Sequence, residues 1–313
     1  MNGIFFIEAP FQLIGAIEAI RTYKLKKYII YIRLSGNDKQ LINLVQIFFP
    51  NDTNIRYFKL QNKQYSFYDC LIVIRTLLFI LIYKYKFEYI FLGNFESKFL
   101  NLFTYILPRN KIVLLDDGIK TFSIQERFTD KHNYNMFTIL YKMHPLSNQI
   151  IRYNKFEYLK SLYDVDNKTF SKVKKILFLG SKLSEIEIIE EKVYLEIIKA
   201  IIDKFPLYQI VYVPHREENI DKLNDLFLTH ENLSLQIIDM PIEIYLLENR
   251  FSYYKILSFY SAALFSIKLL FQDIEVLSIP FDYSQSVYKD NINLVLKRLD
   301  EYEIKVLDDV RTV

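Results

Sequence analysis

Tryptophan is absent from this 313-residue chain, and cysteine, glycine, proline and histidine are scarce, at one, six, eight and four residues. A single cysteine, Cys70, has no disulfide partner within the chain and cannot build a cysteine-based zinc site, so a reducing, cytoplasmic setting fits. The net charge is only +3, which gives no broad basic field for nucleic acid. Tyrosine and phenylalanine are abundant, but they are spread along the whole chain rather than gathered into a base-stacking stripe. No P-loop, G-x-G-x-x-G, H-E-x-x-H or G-x-S-x-G pattern occurs. The N-terminal MNGIFFIEAP lacks a basic segment, and its apolar run is too short for a signal peptide. The longest apolar run, Leu71 to Tyr83, is broken by Arg75 and is too short to span a bilayer. A buried helix is its default reading. A helix resting on a membrane surface is the alternative, because Lys84 and Lys86 follow it.

What is present is an ordinary globular balance, 51% hydrophobic and 25% charged, on a length that suits two α/β domains. Strand-like and helix-like segments alternate. Strands are expected at Gly3–Glu8, Lys27–Leu34, Asn54–Leu60, Glu88–Leu92 and Lys111–Leu115. Helices are expected from Pro10 through Ile20, at Gln40–Phe49, at Ser66–Tyr85 and at Glu96–Ile106. The rhythm breaks from about Pro145 to Lys174 and restarts with Lys175–Leu179. A helix at Ile186–Phe205 and strands at Gln209–Val213, Leu233–Ile238 and Tyr254–Leu257 follow. A helix at Ser261–Phe271, a strand at Ile274–Ile279 and a helix near Asn291–Tyr302 complete the set. This is βαβ logic, hence two mostly parallel sheets, with an N-terminal domain over residues 1–155 and a C-terminal one over 170–313. In such sheets ligands sit beyond the C-terminal ends of strands, so the residues just after each strand are the candidates.

Four segments meet that test. Asp116-Asp117-Gly118 follows the strand KIVLL. Adjacent carboxylates repel, which raises one pKa and suits a general base, although an Asp-Gly turn with solvated acids has the same letters. Asp308-Asp309 shows how readily such a pair arises; it lacks the glycine and lies in a tail. Pro214-His215-Arg216-Glu217 follows QIVYV, where a histidine and an arginine can meet a phosphate and protonate a leaving group. The plain alternative is a histidine capping the next helix. In Ser258-Phe259-Tyr260-Ser261-Ala262, Ser261 can cap a helix or offer its hydroxyl to a phosphate, and a cap is the simpler reading. Met240-Pro241-Ile242-Glu243 puts a glutamate where it could hold a ribose, or merely begin a solvated helix. Asp164-Val165-Asp166 has the letters of a metal-binding D-x-D, but it lies in a polar stretch and reads as linker. Gly93, Gly118 and Gly180 all stand at strand ends, where backbone turns tightly or approaches a ligand.

In order along the chain these pieces resemble the bacterial sialyltransferases of glycosyltransferase family 52 and the related polysialyltransferases. The fragments are E-A-P-F-Q-L (Glu8–Leu13), L-G-N (Leu92–Asn94), L-L-D-D-G (Leu114–Gly118), F-L-G-S-K-L-S-E (Phe178–Glu185), V-P-H-R-E (Val213–Glu217), P-I-E (Pro241–Glu243) and F-Y-S-A (Phe259–Ala262). The resemblance implies a GT-B fold, two Rossmann-like domains with a central cleft, and transfer with inversion without a metal or other cofactor. It implies CMP-sialic acid as donor and a cell-surface glycan, lipooligosaccharide or capsule, as acceptor. Asp116 or Asp117 would deprotonate the acceptor. His215 would assist the departing CMP. Gly180, Ser181, Arg216, Glu243, Ser258 and Ser261 would hold the donor, and Gln12 and Asn94 would lie on the acceptor side. Closure of the two halves on donor binding is expected. Two positions depart from the family pattern: Arg216 replaces the proline after the histidine, and Ala262 replaces the second serine. The only literal His-Pro is His144-Pro145, ahead of the second domain. A GT-B enzyme with another donor, such as a UDP-hexose, and a non-catalytic capsule-assembly protein are the competing readings. A peripheral contact with the inner face of the cytoplasmic membrane would suit basic segments such as Lys24–Lys27.

Overall fold

The computed structural model describes residues 2–36, 38–59, 67–97, 107–127, 134–141, 143, 145–146, 148–165, 174–249 and 253–308. The chain divides into two compact units, Met1–Leu159 with Asp239–Pro241, and Lys160–Ile238 with Ile242–Val313.

The first unit is built on strands β1 (Asn2–Ile7), β2 (Lys27–Leu34), β3 (Ile55–Lys59), β4 (Tyr89–Leu92), β5 (Ile112–Leu115), β6 (Asn135–Thr138) and β7 (Ile151–Tyr153). They form one parallel sheet in the order β3-β2-β1-β4-β5-β6-β7. The central strands are near-continuous apolar runs, such as GIFFI and IVLL, because both faces of a parallel sheet are covered. Helices α1 (Pro10–Thr22), α2 (Lys39–Phe48), α3 (Phe67–Tyr83) and α4 (Lys120–Arg127) belong to this unit. Phe5 stacks on Phe91 at 4.3 Å, and Tyr31 lies between Phe6 and Phe58 at 5.5 and 5.1 Å. Helix α5 (Glu157–Leu162) is seated by a buried acid of α1: the Glu18 carboxylate accepts the Tyr158 and Leu159 N–H groups at 3.1 and 2.8 Å.

The second unit repeats the plan. Strands β8 (Lys175–Leu179), β9 (Gln209–Val213), β10 (Leu233–Leu235), β11 (Lys255–Ser258), β12 (Glu275–Ser278) and β13 (Lys305–Val306) pair in the order β10-β9-β8-β11-β12-β13, all parallel. Helices α6 (Glu191–Lys204), α7 (Asn224–Thr229), α8 (Ile242–Asn249), α9 (Ala262–Leu270) and α10 (Lys289–Leu296) accompany them. Each sheet therefore starts in its middle, runs outward to one edge, and returns past its first strand to build the other. This reversal leaves a switch point beside β1 and β4 in one sheet and beside β8 and β11 in the other.

Several expectations need correction. The stretch read as a break carries β7 and α5, which are three and six residues long and too short to show a period. The helix expected from Ile186 begins at Glu191. The preceding residues coil into turns, with Glu187 at φ 57°, and the Glu185 carboxylate accepts the Asn219 N–H at 3.0 Å. A short edge strand, β13, not expected from the sequence, precedes Asp308, whose carbonyl accepts from Lys204 at 2.7 Å. Helix α3 is not buried: Leu71, Ile74, Leu78, Leu81 and Ile82 are exposed, because only one face meets the sheet. Most of the helix expected at 96–106, together with His144, Asp166 and Asp309, lies outside the described residues.

Candidate functional site

In the first unit, polar side chains gather where β1, β4 and β5 end. Asp116 and Asp117 leave β5 in opposite directions. Asp116 turns inward: one carboxylate oxygen accepts from the Thr138 hydroxyl at 2.6 Å and the other from the Ile139 N–H at 2.7 Å. Complete burial pushes its pKa up to about 7, against those two bonds, which favour the charged form. Asp117 faces the mouth of the sheet with its side chain 14% exposed. Its carboxylate accepts from the Gln12 amide at 2.6 Å and lies 3.9 Å from the Lys120 ammonium. Burial raises its pKa, opposed by Gln12 and Lys120 and reinforced by Glu8 and Glu96. The turn that follows the two acids takes the left-handed conformation at Gly118, with φ +60°.

Gln12 is itself held. Pro10 opens α1, and at its third position the Gln12 carbonyl oxygen accepts the N–H groups of Glu8 and Ala9 at 2.8 and 3.2 Å. Those bonds fix the amide so that its NH₂ must point at Asp117. Gly93, at the end of β4, leaves the space: a Cβ there would collide with the Gln12 side chain. Asn94 folds the next turn by accepting the Glu96 and Ser97 N–H groups at 2.9 and 3.1 Å, and it donates to Glu8 at 3.2 Å. Glu8 also receives Arg33 at 3.0 Å and the Ser97 hydroxyl at 2.7 Å. Asp117, Gln12 and Asn94 thus meet in one network, whereas Asp116 faces away from it. Sequence reasoning quoted Glu8 only within a motif and missed Arg33, Ser97 and Thr138, since nothing local marks them.

In the second unit, His215 follows β9. Its ring Nδ1 accepts the Glu217 N–H at 3.2 Å, which puts the ring proton of the neutral form on Nε2. Burial lowers its pKa, so the ring is neutral at neutral pH. Arg216 is exposed and lies 3.5 Å from Glu217, which also pairs with Lys182. Beneath this loop is a buried network that the sequence did not reveal. The Glu218 carboxylate accepts the His215 N–H at 2.9 Å on one oxygen and the hydroxyls of Tyr212 and Tyr194, at 2.5 and 2.9 Å, on the other. Lys222 lies 3.5 Å from Glu218 and 2.7 Å from Glu185, with its ammonium 4.0 Å from the centre of the Tyr194 ring. Burial raises the pKa values of Glu218 and both tyrosines. Two adjacent glutamates, Glu217 and Glu218, carry no local signal telling which one turns inward.

The other donor-side candidates divide. Gly180 packs directly against this network, and a Cβ would collide with Glu218 and Tyr212. The Ser181 N–H donates to the Tyr194 hydroxyl at 3.0 Å. Ser261 caps α9, its hydroxyl accepting the Ala263 N–H at 3.2 Å, so the simpler reading of that serine is realised. Ser258, the last residue of β11, is fully buried and donates to the Leu179 carbonyl at 3.0 Å, which places it in the frame of the sheet rather than at its mouth. Glu243, in the first turn of α8, is buried and receives the Ser266 hydroxyl of α9 at 2.5 Å; burial raises its pKa.

No protein-family model matches the sequence, and no curated protein matches it. Solved structures do match in shape. The UDP-GlcNAc 2-epimerase of Neisseria meningitidis, solved with UDP-GlcNAc, superposes with a TM-score of 0.58 at 16% identity, over 97% of this chain and 92% of that one. The α/β-galactoside α-2,3-sialyltransferase of Photobacterium phosphoreum gives 0.55 at 11% identity, over 99% of both chains. A 2,6-sialyltransferase of another Photobacterium, solved with CMP and lactose, gives 0.52 at 11% identity, over 97% of this chain and 78% of that one. With two Rossmann-type parallel sheets and these neighbours, the chain has the GT-B fold.

Proposed function

We propose that this chain is an inverting, metal-independent glycosyltransferase whose donor is CMP-sialic acid and whose acceptor is a hydroxyl of a cell-surface glycan. The observation that carries the reading is the divergence of the two aspartates. Of the two, it leaves Asp117 facing the sheet mouth, with a raised pKa and an orientation imposed by Gln12. Such a carboxylate suits a general base. Asp117 takes the proton of the acceptor hydroxyl as that oxygen bonds to the anomeric carbon. The bond from that carbon to the CMP phosphate oxygen breaks at the same time, and the electron pair leaves with the phosphate. The Nε2–H of neutral His215 donates a hydrogen bond to the departing phosphate, which keeps its negative charge, and Arg216 and the Ser261 end of α9 balance that charge. Gly180 and Ser181 lie under the nucleotide, Glu243 on its ribose side, and Asn94 beside the acceptor.

Asp117→Asn should cut transfer by about a hundredfold to ten-thousandfold with the fold retained, whereas Asp116→Asn should act mainly on stability. Full transfer activity in Asp117→Asn, measured with CMP-sialic acid and galactoside acceptors in the presence of a chelator, would remove the base assignment. A second reading, a UDP-sugar donor, is favoured by the likeness to the UDP-GlcNAc-bound epimerase. Stabilisation by UDP and not by CMP would select it.

A further inference from the structure

We propose that the exposed face of α3 docks on an anionic lipid surface. Leu71, Ile74, Leu78, Leu81 and Ile82 are all exposed, Leu78 by 55% and Ile82 by 68%, and Tyr85 is exposed in the turn that follows the helix. At about 100° per residue the five helical residues fall within one arc of roughly 100° along a helix about 25 Å long. Thr76 and Ile80 are buried on the opposite face, which the helix uses to pack into its own unit. The outward arc is therefore not an outer surface left over from packing but a continuous apolar stripe, the pattern of a helix lying in an interface plane.

The charge around the stripe selects the occupant. From the start of α3 to Phe87 the chain holds Arg75, Lys84 and Lys86 against one acid, Asp69, which stands in the first turn of the helix at the end away from the lysines. Arg75 lies about 20° beyond one edge of the arc, and the two lysines close the C-terminal end. There the Lys84 ammonium lies over Tyr85 at 5.3 Å and that of Lys86 over Tyr83 at 4.9 Å. Aromatic rings paired with snorkelling lysines suit the headgroup level of a bilayer, where one end of the ring is apolar and the other wet. A second copy would offer these three cations one acid, Asp69, in the first turn of its own helix. Anionic headgroups provide the complement. No described helix is long and apolar enough to cross a membrane, so α3 would lie on the surface. This inference is independent of the transferase reading.

The absence of tryptophan supplies the probe. The full-length Ile82→Trp protein should show a blue-shifted emission with phosphatidylcholine vesicles containing phosphatidylglycerol, and quenching when the acyl chains are brominated. Flotation of the wild type should be roughly tenfold stronger on those vesicles than on phosphatidylcholine alone, and should fall with added salt. Ile74→Ser/Leu78→Ser and Lys84→Ser/Lys86→Ser should each weaken it by about tenfold while retaining the wild-type circular dichroism. Unshifted, unquenched emission, or flotation equal on both vesicle types, would overturn the proposal without the serine variants. So would a lipid-free dimer in sedimentation velocity that Ile74→Ser/Leu78→Ser dissociates, since the face would then belong to a second copy.

Discussion

Asp116 and Asp117 are neighbours in sequence, yet their environments differ because consecutive residues at a strand end point to opposite sides. Asp116 answers to burial. Its pKa of about 7 in the fold, against an ordinary value near 3.8, means that the folded protein holds a proton the unfolded chain releases. Its contribution to stability is complete below about pH 4 and is lost as pH rises through about 7, for a total of about 4 kcal/mol. Asp116→Asn should flatten the part of the stability–pH curve between those values, as read by denaturant unfolding at a series of pH values. Unchanged slopes would mean that Asp116 is not the group responsible. Asp117 answers to Gln12, and Gln12 to Gly93. Gly93→Ala should therefore lower stability by about 1–3 kcal/mol through overpacking, and should release Asp117 from its partner. Its readouts are the melting temperature and, on the transferase reading, a fall in kcat beyond what lost folded protein explains.

At the scale of elements, strand ends and helix starts do the positioning. Ser261 offers its oxygen to the first turn of α9, so Ser261→Ala should cost about 1 kcal/mol in thermal or denaturant unfolding. The His215 loop depends on a longer chain of contacts, from its backbone through Glu218 to Tyr212 and Tyr194. The Tyr194 and Tyr212 hydroxyls also bond each other at 2.7 Å, so Glu218→Ala would leave one of them without an acceptor, together with the His215 N–H, and Lys222 short of one carboxylate, and should destabilise the protein by about 3–5 kcal/mol. Glu218→Gln can still accept from His215 and should cost less, which unfolding of the two variants side by side will read. The order of β1 to β5 and of β8 to β12 was legible because each is an apolar run followed by a turn signal. Strands β7 and β13, three and two residues long, were not, because a period cannot be seen in so few positions. Helix α3 was legible as a helix but not as an exposed one. An apolar run looks the same whether the protein or something else covers it.

In each unit the sheet offers a switch point, and candidate residues follow its flanking strands and the next ones out, β5 in one sheet and β9 in the other. The fold is shared by sugar epimerases and sialyltransferases alike, so the donor must be read from binding rather than from shape. With CMP at a hundred times its Kd, native-state binding should add about 2.7 kcal/mol to stability. A thermal-shift series of CMP, CDP, UDP and GDP should single out CMP. An equal response to UDP would leave the sugar-transfer reading intact and discard the sialic acid donor.

The sequence by itself determined the alternation of elements, hence the parallel sheets, and it placed the D-D-G, P-H-R-E and F-Y-S-A segments at strand ends. Those are local properties, set by periodicity and by the turn residues that follow each apolar run. Only the tertiary structure decided which aspartate turns inward, that Glu218 rather than Glu217 is buried, that Ser258 braces β8, and that α3 keeps an apolar face outward. Each of these depends on partners far along the chain: Thr138 for Asp116, Gln12 for Asp117, Tyr194 for Glu218 and Leu179 for Ser258. Burial and hydrogen bonding are relations between distant residues, and they exist only once the sheets have brought those residues together.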